Sequence, residues 1–125
     1  MNRVSVCLPA LALLLAATLP AQALEQSVAT GDGAVLRTLD KVAGRAEDLE
    51  LAAGETGMLG TLEVALTECR YPAADPSSNA YAHIEIRDTR EGEERFSGWM
   101  IAGSPALNAL DHARYDVWVL RCTTS

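Results

Sequence analysis

The sequence predicts an all-β fold, a small antiparallel β-sandwich or partly open barrel with one short helix near the C-terminus, stapled by a disulfide. Three observations predict it. From residue 34 onward, apolar and polar residues alternate with a period of two in short segments bounded by turn residues, the pattern of half-buried strands. Ser104-Pro105 offers a helix start, because Ser caps free amides and Pro is tolerated at the first helical position. Two cysteines, Cys69 and Cys122, remain once an N-terminal leader is set aside.

That leader comes first in the chain. Arg3, the Leu- and Ala-rich run over residues 4–19 and the small residues Ala21 and Ala23 form the charged, apolar and cleavage-site regions of a secretory signal peptide. Cleavage is expected after Ala23, so residues 1–23 are read as removable and the mature chain as starting at Leu24. The apolar run is shorter than the ~20 residues a spanning helix needs and is interrupted by Pro9 and Pro20, so no stable membrane insertion is expected after cleavage. The expected location is the periplasm.

Residues 24–33 hold little apolar material and two glycines, and read as a flexible lead. Residues 34–125 then form a single β-rich domain. A first strand is expected over 34–41, a turn at Ala43-Gly44-Arg45, a second strand over about 48–52, and a reversal at Gly54 and Gly57. Between Gly60 and Glu68, Leu62, Val64 and Leu66 alternate with Thr61, Glu63, Ala65 and Thr67, giving one apolar and one wet face. Cys69 falls on the wet parity. Either the strand ends before it or a bulge turns it inward. Pro72 and Pro76 mark an extended loop over 70–78. In residues 81–88, Ala82, Ile84 and Ile86 point inward, and the charged tip 89–94 makes a hairpin that returns over 95–102. A short helix is expected from Pro105 to Leu110 or Asp111. The final segment, 115–122, has apolar residues on both faces, which predicts a central strand covered on both sides, with the helix over one end of the sheet.

An even cysteine pair in an exported domain reads first as a disulfide, with two buried free thiols or a redox-active pair as rivals. No Cys-x-x-Cys spacing supports the redox reading. A bond closing about half the mature chain would raise the free energy of the unfolded ensemble by about 4 kcal/mol, a large share of the roughly 5–15 kcal/mol of a whole domain. Charge excludes another class of partner. Removing Arg3 leaves nine basic against 17 acidic residues, a balance of −8, which repels nucleic acid and anionic lipid.

Residue types that carry chemistry are few. Trp99, beside Gly98, could present a platform to a sugar ring or peptide side chain, although in a domain with two tryptophans both are expected in the core. Ser104, His112 and Asp116 supply the types of a hydrolase triad, yet no Gly-x-Ser-x-Gly elbow is present and Pro105 removes the amide that would help an oxyanion hole. His83, His112, Cys69 and Cys122 match no zinc-site spacing, and Glu91, Glu93 and Glu94 lack the calcium-loop pattern. Gly54-Glu55-Thr56-Gly57 lacks the lysine of a phosphate loop. No catalytic residue, metal or cofactor is expected.

The string from Phe96 to Ala102, the stretches from Ser104 to His112 and from Tyr115 to Cys122, the pieces Leu39-Asp40-Lys41 and Gly44-Arg45, the Gly-x-Leu-x-Val run from Gly60, Cys69 and the Ala-x-Ile-Glu-Ile segment ending at Ile86 together resemble an exported bacterial family, domain of unknown function number 2155. The resemblance covers most of the mature chain. It implies a periplasmic, mainly alphaproteobacterial protein and a Cys69 to Cys122 pairing, with no assigned activity. Gly103 stands where that family has serine and Ala113 where it has proline, which loosens the expected helix boundaries.

Two functional classes follow. The first is a non-catalytic envelope binding or interaction module, whose Lys41, Arg45 and Trp99 region, or whose Ser104 to His112 helix, docks an envelope protein or cell-wall component. The second is a small periplasmic hydrolase or carbohydrate-acting enzyme using His112 with Asp111, Asp116 or Ser104. Convergence of those side chains in one concave site separates the two.

Overall fold

The computed structural model describes residues 3, 4 and 27–125; nearly all of the expected leader, and its cleavage site, lie outside the described residues. Eight strands follow in order: β1 (Val28–Thr30), β2 (Gly33–Asp40), β3 (Arg45–Ala52), β4 (Thr56–Leu59), β5 (Leu62–Pro72), β6 (Tyr81–Asp88), β7 (Glu93–Ile101) and β8 (Tyr115–Thr123). All pairings are antiparallel. The larger sheet runs β1-β5-β6-β7, with β4 also paired to β5, and the smaller runs β3-β2-β8. The sheets face each other as an open sandwich rather than a closed barrel.

The alternation seen in the sequence builds the core. Leu62, Val64 and Leu66 from β5 and Ile84 and Ile86 from β6 are buried against Leu36, Val117 and Val119 of the smaller sheet. Each of these side chains is at most 1% exposed except Val117, so a truncation at any of them would leave a cavity rather than a wet surface.

Cys69 is brought inward by a bulge. Leu66 and Glu68 pair with consecutive residues of β6, Ile84 and His83, leaving Thr67 unopposed and reversing the parity of everything after it. Cys69 is consequently 0% exposed. The same device acts on its partner: Val35 and Leu36 of β2 face Arg121 and Val119, leaving Leu120 unopposed two residues before Cys122. Both sulfurs therefore turn into the space between the sheets, where they form the Cys69–Cys122 disulfide with Cα atoms 5.7 Å apart.

Four expectations are corrected. The flexible lead instead contains β1, whose Val28 and Thr30 pair with Pro72 and Arg70. It is laid down beside the disulfide, with the Gly31 amide donating to the Cys69 carbonyl at 2.8 Å and the Asp32 amide to the Thr123 carbonyl at 2.8 Å. Gly31 has no room for a side chain, since a Cβ would meet the Thr123 oxygen at 2.8 Å and the Cys122 Cβ at 2.9 Å.

The expected helix after Ser104 is absent. The chain makes two isolated turns, Ser104 amide to Ile101 carbonyl at 3.2 Å and Leu107 amide to Ser104 carbonyl at 3.1 Å. A segment this short cannot offset the cost of helix nucleation unless it buries an apolar stripe, and Leu107 is 75% exposed. Leu110 and the Asn108 side chain hold it down instead: Leu110 enters the core and Asn108 Nδ2 donates to the Trp99 carbonyl at 2.9 Å.

β8 is an edge strand, not a central one, because β2 occupies the middle of the smaller sheet. The apolar character of its outer face has a local origin: Trp118 borders a hollow of about 270 Å³ shared with Pro105, Ala106 and Ala109 of the segment before it. Finally, neither tryptophan is in the core. Trp99 and Trp118 are both half-buried on outer sheet faces. The sequence also hides β4, a four-residue strand over the region expected to be a reversal.

Candidate functional site

Ala82, Ile84 and Ile86 are fully buried on the inner face of β6, and the two-residue period continues to Asp88, which is only 6% exposed. A carboxylate at a core-facing position needs compensating donors. Oδ1 accepts the Arg90 amide at 2.9 Å, while Oδ2 lies 3.7 Å from His112 Nε2, an ion-pair separation longer than a hydrogen bond. The Arg90 amide is the main influence holding the Asp88 carboxyl below its usual range, against burial, with help from His112 and the Arg95 charge.

His112 is oriented by the backbone. Its Nδ1 accepts the amides of Arg114 at 3.0 Å and Tyr115 at 3.2 Å, which places the proton of the neutral ring on Nε2, toward Asp88. The ring also lies 5.3 Å from that of Tyr115, whose other neighbour is the Arg114 guanidinium at 5.3 Å.

The segment carrying His112 is fixed to the end of β2. Lys41 Nζ donates to the His112 carbonyl at 2.7 Å and lies 3.6 Å from Asp116 Oδ1. Arg114 grips Asp40 with two nitrogens, Nη2 to Oδ2 at 2.9 Å and Nε to Oδ1 at 3.1 Å, the fork geometry that a guanidinium suits. Asp40 Oδ1 also accepts the amides of Val42 and Ala43 at 3.0 Å each. The Arg114 hydrogen bonds first, and then the Ala43 amide, lower the Asp40 carboxyl to about 2.

Above Asp88 and His112 opens a polar cleft of about 580 Å³, with Arg90, Arg95 and Arg114 on its walls. A third bulge aims one of them. Ile86 and Arg87 of β6 pair with Phe96 and Glu94, so Arg95 is the unopposed residue of β7. Bulges of this kind re-aim side chains at the ends of sheets. Arg95 makes only long contacts, 3.5 Å to Glu91 and 3.9 Å to Glu93, and Arg90 forms no salt bridge among the described residues.

Of the candidate residues read from the sequence, Lys41 and His112 meet directly, and Arg45 lines an adjoining hollow of about 250 Å³ bounded by Asp40, Arg114 and Tyr115. Trp99 is elsewhere. It pairs with His83, five residues from Asp88 on β6 and so roughly 17 Å away along the strand, and it lies on the outer face. There Arg70 stacks 5.4 Å from its ring centre, held by Glu68 at 3.1 Å, while His83 meets it edge-on at 5.2 Å.

The triad types are not brought together. Asp116 pairs with Lys41, His112 faces Asp88, and Ser104 takes part only in the turns of its own segment. Both thiols of the zinc-type set are consumed in the disulfide, and the described residues hold no group of three metal-binding side chains. The cleft residues Asp88, Arg90, Arg95 and Arg114 were not singled out by motif. The signal that could have found the first is its parity, an acid continuing the inward series Ala82, Ile84, Ile86.

The sequence model of a family described as uncharacterised proteins conserved in bacteria, domain of unknown function 2155, matches residues 34–122. An uncharacterised protein of Rickettsia prowazekii (strain Madrid E) is 25% identical over 87 residues, covering 67% of this chain and 56% of the relative. The chain thus spans little more than half the length of that relative. No solved structure matches. With the match running from the start of β2 to Cys122, the chain belongs to the bacterial family of domain of unknown function 2155.

Proposed function

We propose that this chain is an exported, non-catalytic binding module of the bacterial envelope, acting in the periplasm after loss of its leader and holding a cell-wall component or envelope protein at the cleft. The observation that carries the reading is the cleft itself, with an inward-facing Asp88, a backbone-oriented His112 and a bulge-aimed Arg95 contributed by three separate segments. Concave, preformed hollows of several hundred Å³ are where small ligands bind, with a few placed polar groups fixing their orientation. Binding is favoured over proton-transfer chemistry because His112 Nδ1 is already occupied by two amides, leaving the ring no free basic nitrogen in this arrangement. The leader pattern and the disulfide support an oxidising compartment outside the cytoplasm.

The test uses the full chain, tagged at its C-terminus and expressed in an alphaproteobacterial host. Cell fractionation is expected to place the protein in the periplasm. The purified mature form should be retained by isolated cell-wall sacculi or crosslink to a specific envelope protein, and the Arg90→Ala, Arg95→Ala double variant should lose that retention with an unchanged melt. Accumulation in the cytoplasm, absence of any specific retention or crosslink, or release of hydrolysis products from the sacculi would contradict the proposal.

A further inference from the structure

The reading of the cleft as a binding site leaves its ligand class open, and the inference drawn here rests on that reading. The floor and walls of the cleft differ in chemistry. On the floor, the Asp88 side chain is 8% exposed; Oδ1 accepts the Arg90 amide at 2.9 Å, and Oδ2 lies 3.7 Å from His112 Nε2, beyond ordinary hydrogen-bond distance. No buried side-chain oxygen or nitrogen among the described residues lacks a partner, so Oδ2 is open to the cleft rather than sealed in the core. Its lowered proton affinity keeps it charged at neutral pH. On the walls, Arg90 has no carboxylate partner among the described residues, and Arg95 has only long ones. The Asp88 carboxylate below, the Arg90 and Arg95 guanidiniums above and Glu91 on the wall, 3.5 Å from Arg95, place both signs of charge in a single hollow of about 580 Å³, with Arg90 the guanidinium that has no carboxylate of its own.

From this arrangement we infer that the cleft takes a short zwitterionic peptide, its N-terminal ammonium donating to Asp88 Oδ2 and its C-terminal carboxylate received by Arg90 and Arg95. Ammonium is the complement of a charged acceptor whose lone pairs face the cleft. Carboxylate is the complement of planar guanidinium donors, which bind it in a fork. A purely anionic ligand would meet the Asp88 charge, and a purely cationic one would meet the arginines. Only a molecule carrying both charges satisfies both ends of the site. The third guanidinium, Arg114, is engaged by Asp40 and serves to position the His112 segment rather than to receive the ligand.

The probes are dialanine, N-acetyl-dialanine and dialanine amide, titrated into the mature, oxidised protein and followed by backbone amide chemical shifts. Dialanine should shift the amides around Asp88, Arg90, Arg95 and His112, and blocking either charge should weaken binding at least tenfold. Asp88→Asn, which keeps the Oδ1 acceptor, should erase the preference for dialanine over its N-acetyl form; Arg90→Gln should erase the preference over the amide. If N-acetyl-dialanine binds as well as dialanine, the cleft is an anion site and the inference is overturned. It is equally overturned if dialanine causes no shift while larger cell-wall fragments bind, an outcome that leaves the module reading intact. Failure of every probe and of the fragments removes both.

Discussion

Asp40 shows how much a single side chain does here. Its carboxylate receives Arg114 and two turn amides at once, which joins the β2 turn to the segment carrying His112. Because the folded carboxyl is lowered to about 2, below its unfolded value of 3.8, its contribution to stability is complete above pH 4 and fades as the pH falls toward 2. Asp40→Asn should therefore melt below the wild type at pH 7, with the two melting curves converging as the pH approaches 2; a gap independent of pH would show that charge has no part in it. Gly60 makes a second residue-scale case. Its φ is +56°, and a Cβ there would collide with the Tyr115 hydroxyl, whereas Gly44, at φ +65°, has open space around it. Gly44→Ala should cost only the left-handed penalty of about 1 kcal/mol, while Gly60→Ala should cost more, toward 3 kcal/mol, in a denaturant titration. Equal losses would mean that Tyr115 moves aside freely.

At the scale of the element, bulges decide where chemistry goes. Thr67, Leu120 and Arg95 are the three unopposed residues, and they precede or constitute the groups that matter: the two cysteines and the arginine over the cleft. Deleting Thr67 should return Cys69 to the outer face of β5, so that the protein recovered under oxidising conditions carries two alkylatable thiols in place of a disulfide. Retention of the bond would show that the strand re-forms its bulge at another residue. That Cys69 broke the parity of Leu62, Val64 and Leu66 was legible in the sequence, which allowed either an early strand end or a bulge; the register of β5 and β6 selects the bulge and places it at Thr67. The hairpin of β6 and β7 and the smaller-sheet pair β2 and β3 were legible for the same reason, alternation beside a turn. β1 and β4 were not, because strands of three and four residues are too short to show a period, and their pairing is set by β5 across the chain. The helix failed for a related reason: Ser-Pro is a start signal, but only an apolar stripe with somewhere to pack makes a start into a helix. β8 looked central because local sequence cannot say whether a second apolar face meets another layer or merely the adjoining segment. In the cleft, His112 and Lys41 drew notice as residue types. Asp88 did not, since an acid at the end of a strand ordinarily marks a wet turn, and only the inward parity distinguishes it.

For the molecule as a whole, the disulfide joins the two sheets directly, from β5 in one to β8 in the other. With the cysteines 53 positions apart in the sequence, the bond should contribute about 4 kcal/mol through the unfolded chain. Reducing agent should accordingly lower the melting temperature of the wild type by as much as Cys122→Ser does, and an unchanged melt would remove the staple from the account. The same bond lies beside β1 at one end of the sandwich, while the cleft proposed to bind a ligand opens at the other end of β6. This division suits the proposed periplasmic setting, in which an oxidised cross-link would persist and supplement a modest core. The most direct measurement of that claim is the intact mass of the protein recovered from the periplasm of its host, taken with and without alkylation before reduction. The account predicts a chain beginning at Leu24, lacking two hydrogens relative to the dithiol and taking up no alkylating agent until it is reduced. A mass that still includes residues 1–23, or two alkyl groups added without reduction, would contradict it.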